Sequence, residues 1–99
     1  MLVEFANDAL SRLEKDINFS DGLGQALVRR YRYVMNIIRQ APDERDFYAL
    51  KSLHFEKISG KRTHQHSMRL NDQFRLIVEL VERSETCKII RILEITDYH

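Results

Sequence analysis

Imidazoles, guanidinium groups and carboxylates gather in the second half of this 99-residue chain. Residues 51–75 hold Lys51, Lys57, Lys61, Arg62, Arg69 and Arg75 against only Glu56 and Asp72. His54, His64 and His66, three of the four histidines, lie in the same stretch. The fourth, His99, closes Asp97-Tyr98-His99 directly after an apolar, strand-like run. Histidine changes charge near neutral pH and works as a general acid or base. Asp97 and a terminal carboxylate place negative charge beside the His99 ring, which favours the imidazolium. Such a group at a strand end suits proton donation, or charge stabilisation at a phosphate. The alternative is a frayed terminus.

Arginine forks match phosphate geometry, and Arg69 and Arg75 flank Asn71-Asp72 on the polar side of their alternation. Tyr98 and Phe55 are rings on which a base can stack. Cations, a stacking ring and imidazoles together fit RNA cleavage. In that chemistry a 2′-hydroxyl attacks the neighbouring phosphate, one group takes its proton, and another protonates the leaving 5′ oxygen. DNA lacks the 2′-hydroxyl and is excluded as a substrate by this route. Taken singly, His54 reads more often as a surface or half-buried residue than as a catalyst. His64-Gln65-His66 could give two zinc ligands on one strand face, but no spacing supplies the rest of a four-ligand site. No phosphate-binding glycine loop and no serine-nucleophile motif occurs. Cys87, the single cysteine, excludes an internal disulfide and reads as a buried, inert thiol.

These side chains need elements to position them. Leu2–Phe5 suits a short strand. Asn7-Asp8 can cap a first helix carrying Ala9, Leu10, Leu13 and Ile17. Ser20 or Asp21 can cap a longer one, in which Leu23, Leu27, Tyr31, Val34 and Ile38 share one face. Gln25, Arg29, Arg32, Asn36 and Arg39 make its outer side, a solvated face or a surface for an acidic partner or RNA. Pro42 ends that helix, and residues 43–50 can add one short turn. After Gly60-Lys61 the period becomes two. His66, Met68 and Leu70 alternate with Ser67 and Arg69. Asn71-Asp72 reads as a hairpin turn, because both residues tolerate positive φ. Phe74, Leu76, Val78 and Leu80 then oppose Arg75, Ile77, Glu79 and Val81. After the turn at 81–86 a third strand runs over 87–96. One strand, two helices and three antiparallel strands make an α+β domain.

The totals bound the rest. The length fits one domain over residues 1–99. Apolar content of 43% and charged content of 31% fit a folded globular chain, with a net charge of only +1. No run reaches membrane-spanning length and the first residues lack a secretory pattern, so a cytoplasmic protein without membrane association is the default expectation.

The stretch LHFEKISGKRTHQHSMRLNDQFRL, followed by a strand meander and DYH, resembles the HigB toxins, the killer branch of the RelE/ParE toxin superfamily. The likeness covers roughly residues 48–99, and the first half matches in its helical layout. It rests on L-H, a K-x-x-G-x-R-like turn, S-x-R-x-N-x-[QN]-[WF]-R and the closing D-Y-H. The resemblance implies a RelE-like fold, two N-terminal helices on a small, twisted, mainly antiparallel sheet. It implies the toxin of a type II toxin–antitoxin system, a ribosome-dependent endoribonuclease that cuts mRNA in the ribosomal A site. The implied partners are the 70S ribosome with its mRNA and a HigA-like helix-turn-helix antitoxin in a hetero-oligomeric complex, with no cofactor and no metal. By position, His54 matches the family's catalytic-site histidine and Arg75 the residue that handles the scissile phosphate. Asp97, Tyr98 and His99 match the closing triplet, with His99 the main acid–base group. Lys57, Lys61, Arg62, Arg69 and Gln73 are then candidates for RNA and ribosome contacts. The chain departs from the family pattern at Phe74, often Trp, at ISGKR, commonly LKGDR, and at His64-Gln65-His66. Two other classes stay open: a ParE-like protein that binds DNA gyrase without catalysis, and an inactive domain that binds RNA or protein.

Overall fold

The computed structural model of the chain describes residues 1–58, 64–85 and 87–97. β1 (Leu2–Phe5) leads into α1 (Asp8–Lys15), where the Asn7 side chain accepts the Leu10 N–H at 3.0 Å, the expected cap. Ile17 does not extend the apolar face. It lies beyond the helix and is 81% exposed. α2 (Gln25–Gln40) also starts later than Ser20 or Asp21 would set it. Gly24 is its N-cap, and Asp21 and Gly22 have φ of +52° and +75°, which no helix start accommodates. Leu27, Val28, Tyr31, Val34, Met35 and Ile38 form its buried face.

The outer side of α2 is solvated at Gln25, Arg29, Asn36 and Arg39, while Arg32 is half-buried and two of the helix's arginines reach α1. Arg32 donates to the carbonyls of Leu13 (2.8 Å) and Asp16 (2.9 Å). Arg39 forks onto both carboxylate oxygens of Glu14 at 2.7 Å. Cations at the last carbonyls of α1 satisfy groups the helix leaves unbonded, so these arginines tie α1 to α2. Tyr31 adds a third tie, its hydroxyl donating to the Leu10 carbonyl at 2.7 Å. Burial pushes that phenol's pKa up, and nearby Glu14 pushes it further.

α3 (Arg45–Ala49) and a single 3-10 turn, Lys51–Leu53, occupy the stretch after Pro42. β2 (Glu56–Lys57), β3 (Gln65–Arg69), β4 (Phe74–Glu82) and β5 (Lys88–Asp97) follow. The sheet order is β1-β5-β4-β3-β2, with β1 parallel to β5 and the other pairs antiparallel. Met68, Leu70, Leu76, Val78, Ile90 and Ile92 join the buried faces of α1 and α2 in one core. Each such side chain contributes roughly 1.5–3 kcal/mol. The opposite face carries a network in which Arg91 holds Glu4 and Glu79 across three strands, both at 3.1 Å.

Two details shape the Asn71 end of the sheet. Among the described residues outside glycine, only Asp21 and His54 have positive φ, so the β3–β4 turn is not built as expected. The Asn71 side chain instead accepts the N–H groups of Gln73 (2.9 Å) and Phe74 (2.7 Å). On β5, Ile92 pairs with Val78 but Glu94 pairs with Ile77, leaving Leu93 as an extra residue. Beyond it Thr96 lies opposite Arg75, and Asp97 opposite Phe74. Cys87 is half-buried in the turn before β5 rather than buried in the strand. No helix among the described residues is long and apolar enough to cross a membrane.

Candidate active site

At the Asn71 end, Arg69 and Arg75 are direct cross-strand partners on the sheet face away from the helices. Like charges directly opposite destabilise a sheet, so each needs an answer. Arg69 pairs with Asp72, whose side chain is 92% exposed. Arg75 is half-buried, and its Nη1 donates to Ser67 Oγ at 3.3 Å and to the His54 carbonyl at 3.5 Å. Ser67 is nearly fully buried. It shares a face with Arg69 and Arg75 because β-strand side chains alternate. That alternation was legible in the sequence. The role of Ser67 as a rest for Arg75 was not, because it depends on which strand face the guanidinium crosses.

His54 is exposed and sits at φ +46°, ψ +53°, with its N–H donating to the Lys51 carbonyl at 3.1 Å. The left-handed region costs a residue other than glycine roughly 1–3 kcal/mol, a strain that concentrates at functional sites. Across the turn, Gln73 donates to Asp97 Oδ2 at 2.8 Å. His54, Arg69, Gln73, Arg75 and Asp97 thus meet at one end of the sheet, brought there by β3, β4, β5 and the turn before β2. A cationic, exposed edge with an imidazole and a carboxylate beside it can seat a phosphate diester.

Lys57 is not part of this group. It lines a cavity of about 690 Å³ at the other end of β3 and β4, with Tyr48, His64, His66, Glu79 and Glu82. His64 lies just before β3, so His64 and His66 share a cavity rather than strand positions. His66 is buried, and desolvation, helped by the Lys57 ammonium, pushes its pKa below the ordinary 6.5. The expectations on Lys61, Arg62, Tyr98 and His99 fall outside the described residues.

No family model matches the sequence, and no curated protein is similar to it. The fold itself has a solved counterpart, a YoeB/ParE toxin from Agrobacterium tumefaciens. That chain superposes with a TM-score of 0.62 at 12% identity, over 100% of both chains. The α+β arrangement is therefore one that a toxin of this class adopts.

Proposed function

We propose that the chain is the toxin of a toxin–antitoxin pair and a HigB-like, ribosome-dependent endoribonuclease. The observation that carries it is the Arg75 guanidinium, half-buried and resting on Ser67 and the His54 carbonyl, opposite a second arginine. A fixed guanidinium stabilises charge that develops on a phosphate more than a mobile one does, because it does not reorganise during the step. His99 is the principal acid–base group, delivered by the strand that carries Asp97. Tyr98 stacks on or donates to the RNA, and His54 supplies a second imidazole. The 2′-hydroxyl attacks the adjacent phosphorus, the 5′ oxygen leaves with a proton, and Arg75 holds the non-bridging oxygens. Arg69, Gln73, Lys61 and Arg62 contact the RNA or ribosome. A helix-turn-helix antitoxin neutralises the protein in the cytoplasm; the toxin fold of the neighbour supports an antitoxin partner.

Primer extension on a reporter mRNA in a cell-free translation system tests this. Cuts within the translated frame should require active ribosomes and disappear with His99→Gln, while that variant keeps its fold. Message left intact by the wild type while translation proceeds would overturn it and direct the work to gyrase.

A further inference from the structure

His66 is only 8% exposed, and its ring lies flat on Phe55, with centroids 4.6 Å apart and planes 5° from parallel. The two are diagonal neighbours on the helix-facing side of the sheet, since Lys57 is the direct partner of His66. Phe55 is 6% exposed and is gripped edge-on by Phe47 at 5.3 Å and Tyr48 at 4.8 Å. The Tyr48 hydroxyl reaches His66 Nε2 at 3.5 Å. Nδ1 makes no hydrogen bond of full geometry, although the His64 backbone lies close enough to favour the protonated ring. An unbonded buried nitrogen costs roughly 1–3 kcal/mol. The flat contact with Phe55 is what the ring gains in return.

Phe55 follows His54 directly. The 3-10 turn ends in a left-handed histidine whose carbonyl receives Arg75, and the next residue is the one His66 clamps. Histidine enters that backbone region more readily than most side chains but less readily than glycine. Phe55 is the nearest fixed point that can hold it there.

We propose that His66 is a positioning residue of the site: by stacking on Phe55 it holds His54 in its left-handed turn and so places the Arg75 guanidinium. The proposal rests on the nuclease reading for its activity readout, and on the geometry alone for its spectroscopic one. The clamp requires the neutral ring. The groups around it are Lys57 of β2, Tyr48 of α3, Glu44 ahead of α3, His64 ahead of β3, and Glu79 and Glu82 of β4. Glu44 is engaged by Lys88 and Glu79 by Arg91. A protonated His66 would leave the stack for the adjoining cavity.

The test compares wild type, His66→Phe and His66→Leu as full-length chains. It reads the Arg75 Nε–H and His54 backbone N–H signals by NMR, and mRNA cleavage in translating extract. His66→Leu, which loses the flat face, should shift both signals and lower kcat at least ten-fold with little change in KM. His66→Phe, which keeps it, should hold both near wild type at pH 7.5. On acidification the wild-type Arg75 signal should move with a midpoint below that of a free imidazole, and His66→Phe should lose that transition. Unshifted signals in a folded His66→Leu, or an acid transition unchanged in size and midpoint in His66→Phe, would overturn the proposal. If His66→Leu does not fold, the acid transition decides alone. Absence of cleavage by wild type would sink the nuclease reading and leave the NMR comparison to judge the clamp.

Discussion

The two ends of the β3–β4 hairpin make opposite use of the same residue types. Four residues along β3 separate Arg69 from Gln65, roughly 13 Å at strand rise. At the Asn71 end two arginines face each other and an exposed histidine is strained. At the Gln65 end there is a cavity of about 690 Å³, but the carboxylates Glu44 and Glu79 are engaged by Lys88 and Arg91, and the buried histidine is stacked. The cavity is thus lined by carboxylates already engaged by cations. The Asn71 end carries the features that suit charge developing on a substrate. Volume marks where packing stops, whereas strain and opposed like charges mark where the fold tolerates a cost for chemistry.

Substitutions can break or sharpen this contrast. The largest effect is expected from Arg75→Ala, a loss of roughly 100- to 1,000-fold in kcat for mRNA cleavage, the scale of one oxyanion-stabilising donor. Arg75→Lys should recover only part of it, because the ammonium keeps the charge without the fork. Cleavage by Arg75→Ala at the wild-type rate would erase the distinction between the ends. Next comes Asn71→Ala, which removes the acceptor of two backbone N–H groups in the turn. It should cost about 1 kcal/mol, seen as a lowered urea midpoint at unchanged slope.

The Gln65 end should respond to acid instead. His66 binds its proton less readily in the folded chain than the ordinary 6.5. The unfolded chain therefore takes up the proton first, and stability falls as pH drops from about 6.5 toward the lowered folded value. Urea titrations at steps between pH 8 and 5 should show this loss, and His66→Phe should remove its contribution. The smallest effect belongs to Lys57→Ala. Removing a cavity-lining ammonium should change cleavage by no more than about two-fold, in line with a surface substitution of within 0.5 kcal/mol. A large loss there would extend the RNA path to the cavity end.

The long periodic elements were legible because one residue determines the face of the next. Tyr31, Val34 and Ile38 fall inward as their spacing requires, and Met68, Leu70, Leu76 and Val78 follow the two-residue period. Three features had no such signal. β2 contains two residues and so has no period. The parallel pairing of β1 with β5 joins residues far apart in sequence. The left-handed turn at His54 lies at the end of a three-residue 3-10 turn, which is too short to carry a period. At the candidate site, alternation was enough to place Arg69 and Arg75 together. It could not show that Ser67 and a backbone carbonyl hold one of them, nor that Lys57 belongs to the far end. On α2 helical spacing separated the two faces but did not say that Arg32 and Arg39 would reach across to α1.

The extra residue on β5 has a consequence for how this fold can vary. Strand faces follow odd and even positions, and Leu93 changes the parity once, between Ile92 and Glu94. Ahead of it Ile90 and Ile92 obey one rule, and behind it Ile95 and Asp97 obey the other. The two halves of the strand are thereby independently addressable. Deleting Leu93 should turn the ladder regular while leaving Thr96 opposite Arg75 and Asp97 opposite Phe74, whereas straightening the strand with Leu93 kept would bring Ile95 opposite Arg75 instead.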